Sequence, residues 1–182
     1  PGGGYEPADI YTQRCAILTG ALWKYVQNEK IYRCPVGQKN ALITYPIVDS
    51  MNGKYTWCTP TPYNTAVMIK NLNQIKGTSS RIVFIDEGTL SPDSYAVYNF
   101  QQTWYDPPMI SHGNGTDVSY SDGDSGRIMF KDPETYNAGK KNIYGYKPLT
   151  CAGKEDLYKI QIGTWGRLLY TPDPTCKYAS SE

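Results

Sequence analysis

Ser111–Lys131 reads SHGNGTDVSYSDGDSGRIMFK, and its alternation decides the fold. Val118 and Tyr120 alternate with Asp117, Ser119 and Ser121. Beyond Asp122-Gly123, Ile128 and Phe130 alternate with Arg127, Met129 and Lys131. Period-two alternation interrupted by Asp-Gly predicts strand, tight turn, strand. The stretch also holds the chain's only histidine, His112, with nine residues between it and Asp122.

Working outward, Arg81–Asp86 (RIVFID) is the strongest buried-strand candidate, with four consecutive apolar residues. Ala41–Ile47 is apolar and β-branched enough for a strand, and Met51-Asn52-Gly53 supplies a turn. Tyr55–Cys58 and Ala66–Lys70 are further strand candidates, and Gly77–Ser80 reads as a loop. Ala8–Asn28 has helical spacing, with Ile10, Ile17, Leu18, Ala21, Leu22, Tyr25 and Val26 on one face. Gly20 weakens that helix and divides it. Leu90–Pro108 is polar, aromatic and punctuated, which predicts a long surface loop with one strand near Ala96–Phe100. Lys154–Trp165 is a second helix candidate, followed by a strand or turn to Tyr170.

These elements predict one α+β domain over 1–182: an N-terminal helical segment packed on an antiparallel β-sheet, with long loops. Residues 1–7 read as the remnant of a linker and 177–182 as a loose tail. The 18 basic and 17 acidic residues nearly cancel, and no basic cluster suits a phosphate backbone, so nucleic acid is excluded as a partner. No apolar run is long enough to span a membrane. Tyrosine (17) far outnumbers phenylalanine (3), which suits half-buried strands and wet interfaces.

Five cysteines, none in a C-x-x-C pair, together with one histidine argue against a zinc site. Two disulfides with one thiol left over is the preferred reading. Cys15–Cys34 and Cys151–Cys176 are the sequence-local pairs, although four paired cysteines allow three connectivities. Disulfides would place the chain outside the cytoplasm, in the periplasm or at the cell surface.

Catalysis finds little support. One histidine restricts nucleophilic machinery to His112, no G-x-S-x-G elbow occurs, and no cysteine carries a local nucleophile signature. Asp86 and Glu87 are adjacent on a strand and point to opposite faces, so they are no carboxylate pair. The sequence therefore predicts a protein that is not an enzyme.

His112 and Asp122 invite pairing, but nine extended residues separate them by roughly 30 Å. The spacing predicts two separate anchors, His112 bonding a loop carbonyl and Asp122 forming an Asx-type or I′ turn with Gly123. No cofactor is required. Calcium is the metal that the oxygen donors Asn114, Asp117, Asp122 and Asp124 would suit, with Asp86 and Glu87 as alternative ligands. The D-G-D-S-G spacing is not that of an EF-hand.

The same residues carry a resemblance. His112 with Asp122-Gly123 resembles the H-x9-D-G signature of prepilin-type, type II secretion G-like pseudopilins of the planctomycete kind. Gly20-Ala-Leu-Trp-Lys-Tyr25 and Ile31-Tyr-Arg-Cys-Pro35 are similar to that family's early segments. Tyr45–Asn52, Ile75-Lys76, Ile85-Asp86-Glu87, Phe130–Pro133, Asp156-Leu157 and Trp165-Gly166 are similar to later ones, so the resemblance runs from about Gly20 to Tyr170. Two departures stand out. The family's leader and long apolar helix would lie before Pro1, and Asp124 stands where a histidine often follows Asp-Gly. The resemblance implies a non-catalytic subunit, the soluble ectodomain of a pilin-like protein in a type II secretion or type IV pilus-like fibre. Its partners would be other pilin-like subunits, joined through that N-terminal helix, which would also anchor the precursor in the inner membrane. Calcium binding in type II secretion G-like pseudopilins raises the calcium expectation here. The competing expectation is an extracellular carbohydrate-binding or adhesion module that uses exposed Tyr95, Tyr98, Trp104 and Tyr105 as sugar platforms.

Overall fold

The structure is a computed structural model that describes residues 9–53, 58–60, 67–88 and 93–178. The hairpin forms where the alternation places it. Strand β2 (Gly115–Tyr120) pairs antiparallel with β3 (Ser125–Met129), Thr116 opposite Ile128 and Val118 opposite Gly126. Asp122 Oδ1 accepts the Asp124 N–H at 3.1 Å, an Asx turn. Only Gly123 takes a positive φ (+97°) in this turn, so it is not type I′, which needs two. Val118 and Phe130 face the core, while Arg127 and Met129 face out.

Strand β1 (Ile82–Ile85) lies on the other side of β2, antiparallel, giving the sheet order β1-β2-β3. The register shifts between Ile82 and Phe84, a local bulge. Beyond β1 the sheet degrades into single bridges, Ile47 with Phe84 and Val48 with Tyr95. The strand expected over Ala41–Ile47 is thus reduced to isolated pairs. Thr44 O, Pro46 O and Val48 N–H bond to Glu87, Ile85 and Val83, but Pro46 has no N–H to continue the ladder. Of the two neighbouring strand candidates, residues 55–57 and 66 lie outside the described residues, and Ile69 makes one bridge to Met51.

Helix α1 (Ile10–Thr19) is capped by Asp9, whose carboxylate accepts the Thr12 N–H at 3.1 Å. It ends at Gly20, as the sequence predicts, and a run of turns follows. Its packing differs from expectation. Gln13 and Ile17 are its buried residues, and Gln13 bonds Asn40 O and the Leu42 N–H, so α1 docks on a loop. The helix whose side chains join the sheet's core is C-terminal. Helix α2 (Pro133–Lys140) and helix α3 (Cys151–Trp165) follow the hairpin, and Leu157, Ile160 and Trp165 of α3 cluster with Ile82, Ile85 and Val118. Burying each such side chain stabilises by about 1.5–3 kcal/mol. None of the described helices is long and apolar enough to cross a membrane.

The stretch expected as a surface loop is a second correction. Residues 90–92 lie outside the described ones, but Tyr95, Val97 and Trp104 are fully buried, and Val97 bridges Trp104. Trp104 meets Phe130 edge-on at 5.8 Å, and Trp165 Nε1 donates to Val97 O at 2.8 Å. Cys151 and Cys176 form the expected disulfide. Cys15–Cys34 does not form: neither cysteine is in a disulfide, and nor is Cys58. The C-terminal tail is also fixed further than expected. Tyr178 accepts a hydrogen bond from Gln102 Nε2 at 2.8 Å and packs on Tyr158.

Candidate functional site

Antiparallel pairing puts the end of β1 beside the start of β2. The Asp86 N–H donates to Asp117 O at 2.9 Å, and Thr116 Oγ1 donates to Asp86 O at 2.9 Å. His112 lies just before β2, so it reaches the end of β1 instead of the distant turn. Its Nε2 is 2.6 Å from Asp86 Oδ2 and 3.2 Å from Asp117 Oδ2. The expectation of a bond to a loop carbonyl is replaced by this carboxylate pairing. His112 and Asp122 belong to opposite ends of β2, as the spacing requires.

A third segment closes the site. After the 3-10 turn Glu29–Tyr32, the Cys34 N–H donates to Thr44 Oγ1 at 2.7 Å, and Gln38 N–H donates to Gly88 O at 2.7 Å. These bonds hold the Cys34 loop against the end of β1. Cys34 Sγ then lies 3.4 Å from the same His112 Nε2. Cys34, Asp86 and His112 offer ligand-type atoms that all lie within 4.8 Å of one another, the only such group of three among the described residues. Cys34 and Asp86 are wholly buried, and the His112 side chain is 16% exposed. Cys34, Asp86 and His112, from three separate stretches of the sequence, therefore meet at one point.

Burial raises the Cys34 thiol above its usual pKa, and the neighbouring Asp86 adds to that. Tyr45 is pushed up by burial, by Cys34 and by Asp86. On the outer side, the Arg127 guanidinium donates to both Asp117 oxygens, at 2.7 and 3.2 Å. That pairing, more than His112, holds the Asp117 carboxyl below its usual range. The group looks like a Cys-His-Asp relay, but the geometry is wrong for one. Thiol and carboxylate meet the same ring nitrogen, whereas a relay orients the imidazole through one nitrogen and takes the nucleophile's proton on the other. A buried thiol held in its protonated form is also a poor nucleophile.

The calcium donors do not converge. Asn114 Nδ2 donates to Phe130 O, Asp117 pairs with Arg127, and Asp122 closes its own turn to Asp124. No three of the described acidic, histidine and cysteine side chains gather there. Asp86, named as an alternative ligand, belongs to the cluster with Cys34. The sugar platforms are likewise displaced: Tyr95 and Trp104 are fully buried, and Tyr98 and Tyr105 pack on the core and edge-on against each other at 5.3 Å. Sequence reasoning singled out His112 and Asp86 but gave Cys34 to a disulfide. Its signal was Cys34-Pro35 itself, a cysteine in a polar, punctuated stretch, unlike Cys58, which joins the apolar core.

The fold class is a mixed α+β domain built on a three-stranded antiparallel sheet. No protein family, no curated protein and no solved structure matches the chain.

Proposed function

We propose that this chain is the globular part of a pilin-like or pseudopilin-like structural subunit that acts outside the cytoplasm by assembling with its own kind. The observation that supports it is the uncovered apolar surface of α1 and the turns that follow. Ile10, Leu18 and Leu22 are 38%, 42% and 46% exposed, and Tyr11 and Tyr25 are 75% and 74% exposed. Most of the apolar face legible in the sequence is thus left exposed among the described residues, and exposed apolar surface of this kind marks interaction sites. The partner in this reading is another subunit presenting the same face, a contact made by α1 and its turns and separate from the N-terminal helix that the resemblance implies. A disulfide from the start of α3 to Cys176 suits an oxidising compartment, and the shared nitrogen of the His112 cluster disfavours nucleophilic catalysis. Burial of Tyr95 and Trp104 removes the support for a sugar-binding module.

Sedimentation velocity over a range of concentrations tests this. The expected result is reversible self-association that Leu18→Glu together with Leu22→Glu abolishes while circular dichroism stays native. A chain that remains monomeric at its solubility limit, or whose association survives both substitutions, overturns the reading.

A further inference from the structure

We propose that Cys34, Asp86 and His112 bind a divalent transition ion of the zinc class, a site independent of the assembly surface. The donor set is one thiol, one imidazole and one carboxylate. Thiolate and imidazole select zinc-like ions over calcium, which takes oxygen ligands alone. Three protein ligands with a further position beside them is the composition of an open zinc site.

The separation of sulfur and nitrogen fits the ion. With Zn–N near 2.0 Å and Zn–S near 2.3 Å, a tetrahedral site separates nitrogen and sulfur by about 3.5 Å. Cys34 Sγ and His112 Nε2 are 3.4 Å apart. Asp86 Oδ2, at 2.6 Å from the nitrogen, sits at hydrogen-bond distance and must open to about 3.3 Å to share an ion. Two carboxylate oxygens, from Asp86 and Asp117, and the Cys34 sulfur crowd a single ring nitrogen that carries at most one proton. A cation at their centre satisfies all of them together.

The supporting contacts are of the kind that fixes a metal ligand. Asp86 Oδ1 accepts the Gly88 N–H at 2.7 Å, leaving Oδ2 aimed at the cluster. Asp117, both of whose oxygens accept from Arg127, places Oδ2 3.2 Å from Nε2 as a further oxygen beside the cluster. The three ligands come from three separate segments, so an ion here would clamp the Cys34 loop to the end of β1 and the start of β2.

Cobalt(II) is the probe, because a thiolate ligand gives it a charge-transfer band and a tetrahedral site gives intense visible bands. The expected result is one cobalt per chain with both features, displaced by zinc but not by calcium. Cys34→Ser and His112→Gln should abolish them, and Cys15→Ser and Cys58→Ser should leave them intact. No band with the native chain, or a band that survives Cys34→Ser in a natively folded variant, overturns the proposal. Should the Cys34 and His112 variants fail to fold, the native chain decides. Zinc should slow alkylation of Cys34 at least tenfold by peptide mapping and leave Cys58 unchanged. Equal Cys34 alkylation with and without zinc also overturns the site.

Discussion

Thr150 Oγ1 donates to Asp132 Oδ2 at 2.8 Å, so the residue that caps α3 is bound to the residue that caps α2. Thr150 also accepts the Gly153 N–H at 3.0 Å, and Asp132 Oδ1 accepts the Glu134 N–H at 3.1 Å. Behind them the buried Asp156 carboxylate accepts both the Lys131 and Asp132 N–H groups, at 2.9 Å each for the shorter contacts. One connected network thus satisfies an orphan donor at each of two helix starts.

Asp132→Ala and Thr150→Val should each cost about 1–2 kcal/mol, the usual value of a lost N-cap. Because the two caps are bonded, the double variant should lose less than the sum, with a coupling of at least about 0.5 kcal/mol. Chemical denaturation of the four chains measures this. Strict additivity would show that the caps act alone.

The Cys151–Cys176 bridge closes a segment of sequence separation 25 at the start of α3. The chain-entropy argument gives such a loop about 3–3.5 kcal/mol of stabilisation. The tail has other attachments: Lys154 pairs with Asp173 at 2.7 Å, and Tyr178 packs on Tyr158. Replacing both cysteines by serine should therefore lower global stability by up to that amount and speed hydrogen exchange in residues 171–178, leaving β1–β3 protected. A variant with unchanged exchange in the tail would show that Lys154 and Tyr158 suffice to hold it.

Legibility followed locality. The β2–β3 hairpin was readable because Val118, Tyr120, Ile128 and Phe130 alternate about Asp122-Gly123, a signal contained in one stretch. Helix α3 was readable from Leu157 and Ile160, though it begins three residues earlier, at Cys151, because Thr150 caps it. Helix α2 escaped notice: Pro133–Lys140 is polar and holds Gly139, yet Asp132-Pro133 is an N-cap followed by proline at the first turn, a start signal that was present. The site was half legible. His112 and Asp86 stand out singly, but their meeting depends on β1 running antiparallel to β2, a pairing between residues far apart in sequence. The packing of 95–104 was illegible for the same reason: polar neighbours disguised residues that long-range contacts bury.

Asp106 sets a pH dependence. Its Oδ2 accepts the Ala96 N–H at 2.6 Å, yet desolvation dominates and raises its carboxyl to about 7, with Asp93 and Asp49 adding to the shift. The folded state therefore holds this proton more tightly than the unfolded chain does. Its contribution to stability is complete below the unfolded pKa of about 4 and disappears as pH rises through about 7. At about 1.4 kcal/mol per unit this amounts to at most about 4 kcal/mol, trimmed by solvent because the residue is only half-buried. Asp106→Asn keeps an acceptor for Ala96 without the charge. It should match the parent near pH 4 and exceed it near pH 8 in denaturant titrations. A parent-minus-variant difference that does not change with pH would show that Asp106 ionises freely in the fold.

Gly166 ends α3 in the left-handed region, φ +72°, with its N–H donating to Ile162 O at 2.7 Å. A Cβ there would lie 2.0 Å from Arg81 Nη1. Arg81 is buried, and its Nη2 donates to Thr164 O at 2.9 Å, a cation set against the last carbonyls of the helix. Burial already lowers its pKa to about 10. Gly166→Ala thus incurs both left-handed strain and displacement of Arg81. Gly123→Ala meets only the first, since nothing lies within 4 Å of its Cβ position at φ +97°. The hairpin substitution should cost about 1 kcal/mol and the helix-end substitution clearly more, at least about 2 kcal/mol. Arg81→Met should narrow the gap by removing the clashing guanidinium. Equal costs at Gly123 and Gly166 in thermal unfolding would mean that Arg81 yields freely and only the backbone sets the penalty.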